Sequence, residues 1–243
     1  MVRSRLLKLE LHTILSLMER EKALVVGDPK LHPKWTQDPY QLQQLVRARE
    51  AAEAIGQLFA TTPLLGEQAT KVAVIDKMRN VRVVQIFAHG LLDDFGDKGI
   101  PGTIILAPSD AADETDDGGL NAGEILGLKL SAEIVILTAC STGKGKITGD
   151  GVVGLSRCFV LAGVPSLIVS LWDIGAPAAK FLMVEFYQNL ERRENRATAL
   201  CQAMLTAKND DRYNYPKAWA GFTLIGEADH FSLTLENSSE VLR

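Results

Sequence analysis

Three nearly continuous apolar runs of strand length constrain the fold of this chain most strongly. They are VRVVQIFA at Val81–Ala88, AEIVILTA at Ala132–Ala139 and SLIVSLW at Ser166–Trp172. Nearly continuous apolar runs are typical of strands that are covered on both faces, whereas strands with one solvated face alternate apolar and polar residues. Segments with helical periodicity separate these runs, among them Val152–Ala162 and Ala176–Leu190. The alternation predicts an α/β fold with a mostly parallel sheet.

The composition is that of an ordinary soluble globular protein. The 243 residues are 47% apolar and 23% charged, and 26 basic against 30 acidic residues give a formal net charge of −4. These values exclude intrinsic disorder, collagen and coiled coil. A mildly acidic chain exerts no general attraction on nucleic acid or on an anionic membrane, so neither is an expected partner. Three cysteines cannot form a closed set of disulfides, which favours a reducing compartment and predicts a cytoplasmic protein.

The chain divides into three parts. Residues 1–20 form a predicted amphipathic helix, residues 21–230 a globular domain and residues 231–243 a polar tail. The helix is predicted from apolar residues at helical spacing, which are Leu7, Leu11, Ile14 and Met18. It either packs on the sheet of its own domain or docks a partner. Charges interrupt this segment and no small-residue cleavage site follows, so it is not a signal peptide, and no run of the chain is long enough to span a bilayer.

Two chemically reactive side chains follow predicted buried strands. His89 follows the first apolar run and Cys140 follows the second. Ligands of open parallel sheets bind at the carboxyl ends of the strands, and neighbouring strands lie about 4.8 Å apart, so adjacent strands would bring the two side chains close. An imidazole can take the proton of a thiol, and backbone N–H groups at Gly90 and Cys140 can stabilise an oxyanion. From the residues alone, purely structural roles for His89 and Cys140 remain an alternative. Cys158 and Cys201 lie in helical patterns and are interpreted as core residues.

Two loops resemble ligand-binding motifs without meeting their requirements. The segment TGKGKITG at 142–149 has threonine where GxGxxG requires glycine, and it lacks the spacing of a Walker motif. The segment DETDDGGLNAGE at 113–124 places acids as an EF-hand loop does, but no helix enters it. We therefore expect a solvated acidic loop and neither a metal nor an organic cofactor.

Several short motifs occur in order through the domain. They are VQIFAHG from Val84, then GGLNAGEILGLKL, ILTACSTGKG, GVVGLSRCFVLAGVPSLIVSLW, EFYQNL and WAGFTLIG. Together they resemble the CHAT family of caspase-like domains, which often follow tetratricopeptide repeats, and the resemblance runs from about Ala23 to Gly226. It implies a caspase–haemoglobinase fold, with helices on both faces of the sheet in a three-layer sandwich. It also implies a cysteine endopeptidase of the caspase and separase clan, with His89 as catalytic histidine and Cys140 as nucleophile.

The chain departs from the family in features that affect substrate and partner. The acidic residue stands directly after Trp172, at Asp173, whereas the family often carries it a few positions later. If an acid lines the substrate pocket, Asp173 and Asp150 are the candidates, and the residue before the cleaved bond is then basic. No repeat array precedes the domain, so a tetratricopeptide-repeat protein or another activating partner is expected beside the protein or peptide substrate.

The alternative function is a caspase-like interaction or regulatory module without catalytic turnover of its own. The N-terminal helix and the lack of repeats favour this alternative, and the intact His89 and Cys140 argue against it. A third hypothesis is a protease that stays inactive until a partner repositions residues 141–151, because glycine-rich loops move at little steric cost.

Overall fold

The computed structural model describes residues 21–91, 102–110, 115–140, 149–229, 233 and 235. For residues 21, 139, 140 and 149–153 the backbone alone is described. The predicted N-terminal helix at 1–20 and most of the predicted tail at 231–243 lie outside the described residues.

Strands and helices alternate along the chain as the apolar runs predict. The strands are β1 Glu21–Pro29, β2 Leu64–Gly66, β3 Val81–Leu91, β4 Thr103–Ile105, β5 Gly119–Asn121, β6 Ile134–Cys140, β7 Ser166–Ser170 and β8 Phe222–Gly226. The helices are α1 Pro33–Thr36, α2 Val46–Phe59, α3 Lys71–Met78, α4 Ala122–Leu126, α5 Gly149–Leu161, α6 Ala176–Glu191, α7 Arg196–Asn209 and α8 Pro216–Trp219.

The sheet is mostly parallel, with the strand order β2-β1-β3-β6-β7-β8. The first five strands of this order pair in parallel, and β8 closes the far edge antiparallel to β7. Strand β3 changes its neighbour on one side: up to Phe87 it pairs with β1, and from His89 to Leu91 it pairs antiparallel with β4. Because β4 then pairs with β5, a small antiparallel extension supports the end of β3 that carries His89.

Helices cover both faces of the sheet, which confirms the predicted three-layer arrangement. On one face Phe87 and Ile136 pack with residues of α2, α6 and α7 in a continuous apolar cluster. On the other face Ile86 and Leu137 pack with residues of α3, α4 and α5. Neighbouring strand residues point to opposite faces, so both faces need apolar side chains and the runs read as nearly continuous.

Side-chain caps fix the starts of several helices. The sequence predicts a short capped helix over Asn121–Leu126, and the structure confirms it, with Asn121 and Glu124 forming a capping box at the start of α4. Thr70 caps α3 and Asn195 caps α7, each by accepting a backbone N–H of the first turn. No side chain caps α2 or α6.

The start of one helix and the burial of Cys201 are predicted wrongly from the sequence, for identifiable reasons. The sequence predicts a helix over roughly Pro39–Phe59, but the helix begins only at Val46. The preceding chain packs around Trp35 instead: Tyr40 meets the Trp35 ring edge-on, and the Leu42 N–H donates to the Trp35 carbonyl. Cys201 is exposed on α7 rather than part of the core, because the buried stripe of that helix runs through alanines.

Candidate active site

The sheet register brings His89 and Cys140 to the same level of adjacent strands. Strands β3 and β6 pair in parallel from Val83 opposite Ile134 to His89 opposite Cys140. Residues paired across neighbouring strands are about 4.8 Å apart along the hydrogen-bonding direction. The expected adjacency of the two strand ends is therefore present in the backbone.

A backbone carbonyl orients the His89 ring. His89 is buried, and its Nε2 lies 2.7 Å from the carbonyl oxygen of Gln43. A carbonyl oxygen only accepts, so Nε2 carries the proton and donates to it. In the neutral imidazole this leaves the lone pair, and hence the basic site, on Nδ1.

Side-chain contacts hold the segment that carries Gln43. The neighbouring Gln44 amide Nε2 donates to Asp28 Oδ1 at 2.6 Å and to the Pro29 carbonyl at 2.8 Å. Arg49 of α2 donates to the other Asp28 oxygen at 3.2 Å. These bonds tie the start of α2 to the end of β1, and they fix the carbonyl that receives the His89 proton.

Burial lowers the pKa of His89 below its ordinary value. Loss of hydration is the largest cause, because it disfavours the charged imidazolium. The hydrogen bond to the Gln43 carbonyl and the negative charge of Asp173 both oppose this shift and do not overcome it. His89 is therefore a neutral base at neutral pH.

We expect the low pKa of His89 to make the protein lose stability on acidification. An unfolded histidine binds its proton below about pH 6.5, whereas folded His89 does so only at lower pH. Between these two values the unfolded state binds more protons, so the free energy of unfolding falls as the pH drops through about 6.5. Urea titrations at pH 7.5 and 5.5 should show a larger loss for the wild type than for His89→Gln.

Comparing the wild type with His89→Gln removes the contribution that all other titrating groups make to the pH dependence of the free energy of unfolding. In an NMR titration Asp173→Asn should move the His89 pKa further down, because the variant lacks a charge that favours the imidazolium. Equal stability losses in wild type and His89→Gln would contradict this account of the buried ring.

A pocket of about 380 Å³ opens beside the paired strand ends. Its walls come from the start of α2, from β3 and β6 and from the segment between β7 and α6. The residues that line it are Gln44, Leu45, Val46, Arg47, Ala48, Phe87, Thr138, Asp173, Ile174, Gly175, Ala176 and Pro177. Asp173 and Arg47 are its charged lining residues, and both are exposed.

The wall that carries Asp173 is anchored on both sides of the acid. Ile174 is buried in the apolar cluster below α6, and the Trp172 indole N–H donates to the Lys217 carbonyl at 2.9 Å. The Leu171 N–H donates to the Gly221 carbonyl at 2.7 Å. These contacts present Asp173 at the pocket from a fixed segment.

A buried polar chain, which sequence analysis does not identify, ends at this pocket. Tyr187 of α6 donates its hydroxyl to Gln85 Oε1 at 3.0 Å, and Gln85 Nε2 donates to Thr138 Oγ1 at 3.0 Å. Gln85 and Tyr187 are fully buried and Thr138 is 5% exposed. The only sequence signal is an uncharged polar residue inside the run VRVVQIFA.

Comparison with known proteins identifies the family. The family model of the CHAT domain, which describes the sequences of the family, matches residues 5–227 of the chain. The chain belongs to the CHAT domain family. Among curated proteins, this CHAT chain is similar to tetratricopeptide repeat protein 28 of Mus musculus and of Homo sapiens, with 28% and 29% identity over 231 aligned residues. Each match covers 84% of this chain and 9% of the relative, so the chain spans about a tenth of the length of these proteins.

A solved structure shares the fold of this CHAT domain. It is the separase–securin complex of Saccharomyces cerevisiae, with a TM-score of 0.53 and 13% sequence identity. The match covers 86% of this chain and 12% of the solved chain. At this identity the likeness establishes the caspase-like fold.

The other predicted site residues of the CHAT domain have different positions. Gly90 lies in β3 opposite Ile104 of β4, directly after His89. Asp150 is the second residue of α5, and its side chain lies outside the described part of the structure. Cys158 of α5 is buried as predicted, and burial raises the pKa of its thiol, which makes it unreactive.

The described acidic residues before α4 of the CHAT domain bind the backbone. Burial raises the pKa of Asp116, but the N–H groups that it accepts from Ser109, Gly118 and Asp110, together with the charge of Lys71, bring this pKa below its ordinary value. Asp117 accepts the N–H of Gly119.

Among the described residues, no group of three or more histidine, cysteine or acidic side chains is arranged to hold a metal ion. In the same part of the chain, no helix combines the length and the apolar character needed to cross a membrane.

Proposed function

We propose that this CHAT domain is a cysteine endopeptidase in which His89 and Cys140 form the catalytic dyad. The observation that supports the proposal most directly is the register of His89 opposite Cys140 on adjacent parallel strands. Strand positions alternate between the faces of a sheet, so position 140 belongs to the same face as Thr138. Thr138 is joined to Gln85 on the face that α6 covers, and His89 lies four residues after Gln85 in β3.

The proposed reaction uses Nδ1 of the oriented ring, the nitrogen that does not donate to Gln43. His89 Nδ1 accepts the Cys140 thiol proton, and the thiolate attacks the carbonyl carbon of a peptide bond. The N–H groups of Gly90 and Cys140 receive the oxyanion of the tetrahedral intermediate. The His89 imidazolium then protonates the leaving amine as the C–N bond breaks, and a water molecule hydrolyses the acyl-enzyme by the reverse steps.

The Gln43 carbonyl supports both steps of this reaction. It keeps the proton of the resting imidazole on Nε2, so the basic nitrogen is always Nδ1. When the ring becomes charged, the same oxygen accepts a stronger, charge-assisted hydrogen bond. A peptide oxygen therefore has the orienting role that an aspartate has in serine proteases.

We propose that the pocket beside the dyad receives a basic side chain of the substrate. The carboxylate of Asp173 offers a partner to an arginine or lysine, and Asp150 is retained as a second candidate from the sequence. Arg47 on the α2 side of the pocket repels a cation, so the preference depends on how closely the substrate side chain approaches Asp173. The substrate class is a protein or peptide with a basic residue before the cleaved bond.

We propose that a protein partner controls this activity in the cytoplasm. The curated relatives are named for tetratricopeptide repeats, and the chain corresponds to about a tenth of each. A repeat-containing protein or segment is therefore the proposed regulator. A free thiol is kept reduced in the cytosol, which supports the cytoplasm as the proposed location.

Iodoacetamide alkylation of the full chain tests whether Cys140 is activated. At pH 6.5 an ordinary thiol is about 1% ionised, so Cys140 should react roughly tenfold faster than the exposed Cys201 of the same chain. His89→Gln should remove this advantage and leave the rate at Cys201 unchanged. Peptide mapping by mass spectrometry gives both rates from one sample.

Cys140 reacting no faster than Cys201 would overturn the activated dyad. Because the control thiol is in the same chain, a general loss of folding would raise the rates at all cysteines, including the buried Cys158.

A further inference from the structure

The polar chain of Tyr187, Gln85 and Thr138 has only one end near a ligand-accessible space. Tyr187 lies within the apolar layer against Phe59, with ring centroids 4.9 Å apart. Thr138 at the other end lines the pocket that also contains Asp173. These three hydrogen-bonded side chains therefore connect the interior of the domain to the proposed substrate site.

The direction of donation along this chain is determined at Tyr187. Complete burial raises the pKa of Tyr187 well above its ordinary value, so the phenol keeps its proton and donates it to Gln85 Oε1. With its oxygen occupied, the Gln85 amide presents its NH₂ group to Thr138 Oγ1, which accepts. A hydroxyl with one accepted bond retains a second lone pair and its own proton.

Stability alone does not account for a chain of polar side chains at this place in the core. Burying an amide and two hydroxyls costs desolvation that their mutual hydrogen bonds only repay, and apolar residues of the same shape would fill the layer equally well. The surrounding cluster consists of such residues, among them Val83, Ile136 and Leu182. A pocket-lining hydroxyl held in one orientation is a feature that the apolar alternative lacks.

We propose that Thr138 is a specificity-determining contact for the polar end of the substrate side chain, and that Tyr187 and Gln85 are positioning residues that orient its hydroxyl. The inference rests on the proposed endopeptidase function, and it concerns the pocket rather than the reacting atoms. A basic side chain donates to the second lone pair of Thr138 while its charge faces Asp173. An apolar side chain of equal length offers no donor to this second lone pair and is disfavoured.

Fluorogenic peptides that differ only in arginine, lysine, glutamine, leucine or methionine before the cleaved bond measure this selectivity. We expect Thr138→Val to lower kcat/KM for the arginine peptide about tenfold, mainly through KM, and to raise kcat/KM for the leucine peptide, because the hydroxyl that disfavours an apolar side chain is gone. Thr138→Ser, which keeps the hydroxyl, should behave as the wild type. Tyr187→Phe should lower the arginine-to-leucine ratio about threefold, because the Gln85 amide is then no longer held in one orientation and the Thr138 hydroxyl loses its fixed position.

Two controls separate positioning from a structural effect. Phe59→Leu removes the ring that packs on Tyr187 but leaves every hydrogen-bonding group of the polar chain in place, so it should change all peptides equally. In the double variant Thr138→Val with Tyr187→Phe the ratio should equal that of Thr138→Val alone, because Tyr187 acts through Thr138. Additive effects in the double variant, or a Thr138→Val ratio equal to the wild type, would overturn the inference.

Benzamidine binding distinguishes failure of the inference from failure of the proposed function. Isothermal titration uses the full chain with Cys140→Ala, which needs no turnover. Binding that weakens in Thr138→Val and persists in Thr138→Ser, without peptide cleavage by the wild type, would retain the pocket assignment and reject the protease. Cleavage with an unchanged ratio in Thr138→Val would reject the pocket assignment and retain the protease, and neither binding nor cleavage would reject both.

Discussion

Cys140→Ala should reduce peptide cleavage by at least about a thousandfold, to the level of the buffer. The thiolate is the atom that forms the covalent bond in the proposed reaction, and alanine offers no substitute. The register places position 140 beside His89 in the backbone, and the substitution removes a single sulfur atom from the end of β6. The fold should be unaffected, since a smaller side chain introduces no steric conflict there.

The measurement is a peptide-library cleavage profile of wild type and Cys140→Ala, read by mass spectrometry. The wild-type profile should be enriched in arginine and lysine before the cleaved bond. Cys201→Ala is the matched control, because it removes an exposed thiol far from β6 in sequence and should leave the profile unchanged. Adding a tetratricopeptide-repeat partner in a parallel sample tests whether the wild type needs activation.

A wild-type profile that Cys140→Ala reproduces would contradict the protease assignment. If the biological effect of the chain also survives this substitution, the domain acts as an interaction module with a caspase-like fold. Cleavage that occurs only with the partner and requires Cys140 would instead identify a latent enzyme.

Gly118→Ala should lower the free energy of unfolding by about 3 to 5 kcal/mol. Gly118 has φ +75°, which L-residues with a Cβ rarely adopt, and an added Cβ would overlap the Leu106 carbonyl and lie 2.8 Å from the Ala107 carbonyl carbon. The overlapping atoms are backbone, so no side-chain rotation relieves the conflict. The Leu106 N–H also donates to the Gly118 carbonyl at 3.0 Å, and that bond would be lost.

Urea unfolding of Gly118→Ala and Gly127→Ala makes the comparison. Gly127 has φ −79° and ends α4, and its added Cβ would meet only the Glu124 carbonyl at 3.3 Å, so its change should stay within about 1 kcal/mol. Gly118 precedes β5, whose partner β4 pairs with His89–Leu91, so Gly118→Ala should also reduce cleavage. Equal stabilities of the two variants would mean that the β4–β5 extension adapts to the added methyl group.

The parallel sheet and the two reactive strand ends are predictable from the sequence. Fully buried strands leave nearly continuous apolar runs, and residues such as His89 and Cys140 mark where those runs end. The sequence does not reveal β2 and β5, because three residues are too few to show a period. It also ends β3 at His89, whereas the strand continues to Leu91 because β4 replaces β1 as its neighbour.

The sequence does not predict the parts of the site that depend on contacts between distant segments. The acceptor of the His89 proton is a main-chain atom 46 residues upstream, and such an atom has no residue type that marks it. The polar chain joins Gln85 to a tyrosine 102 residues away, and each of its members alone resembles an ordinary core residue.

His89 is oriented by a backbone carbonyl, so its orientation does not depend on which amino acid stands at position 43. Any residue at position 43 that leaves the loop in place supplies the same oxygen. An alanine substitution there should therefore leave the activity unchanged. Deletions or proline insertions between β1 and α2 would be the damaging changes instead. In this domain the length and the anchoring of the loop between β1 and α2, rather than the identity of one residue, determine the hydrogen-bond partner of His89.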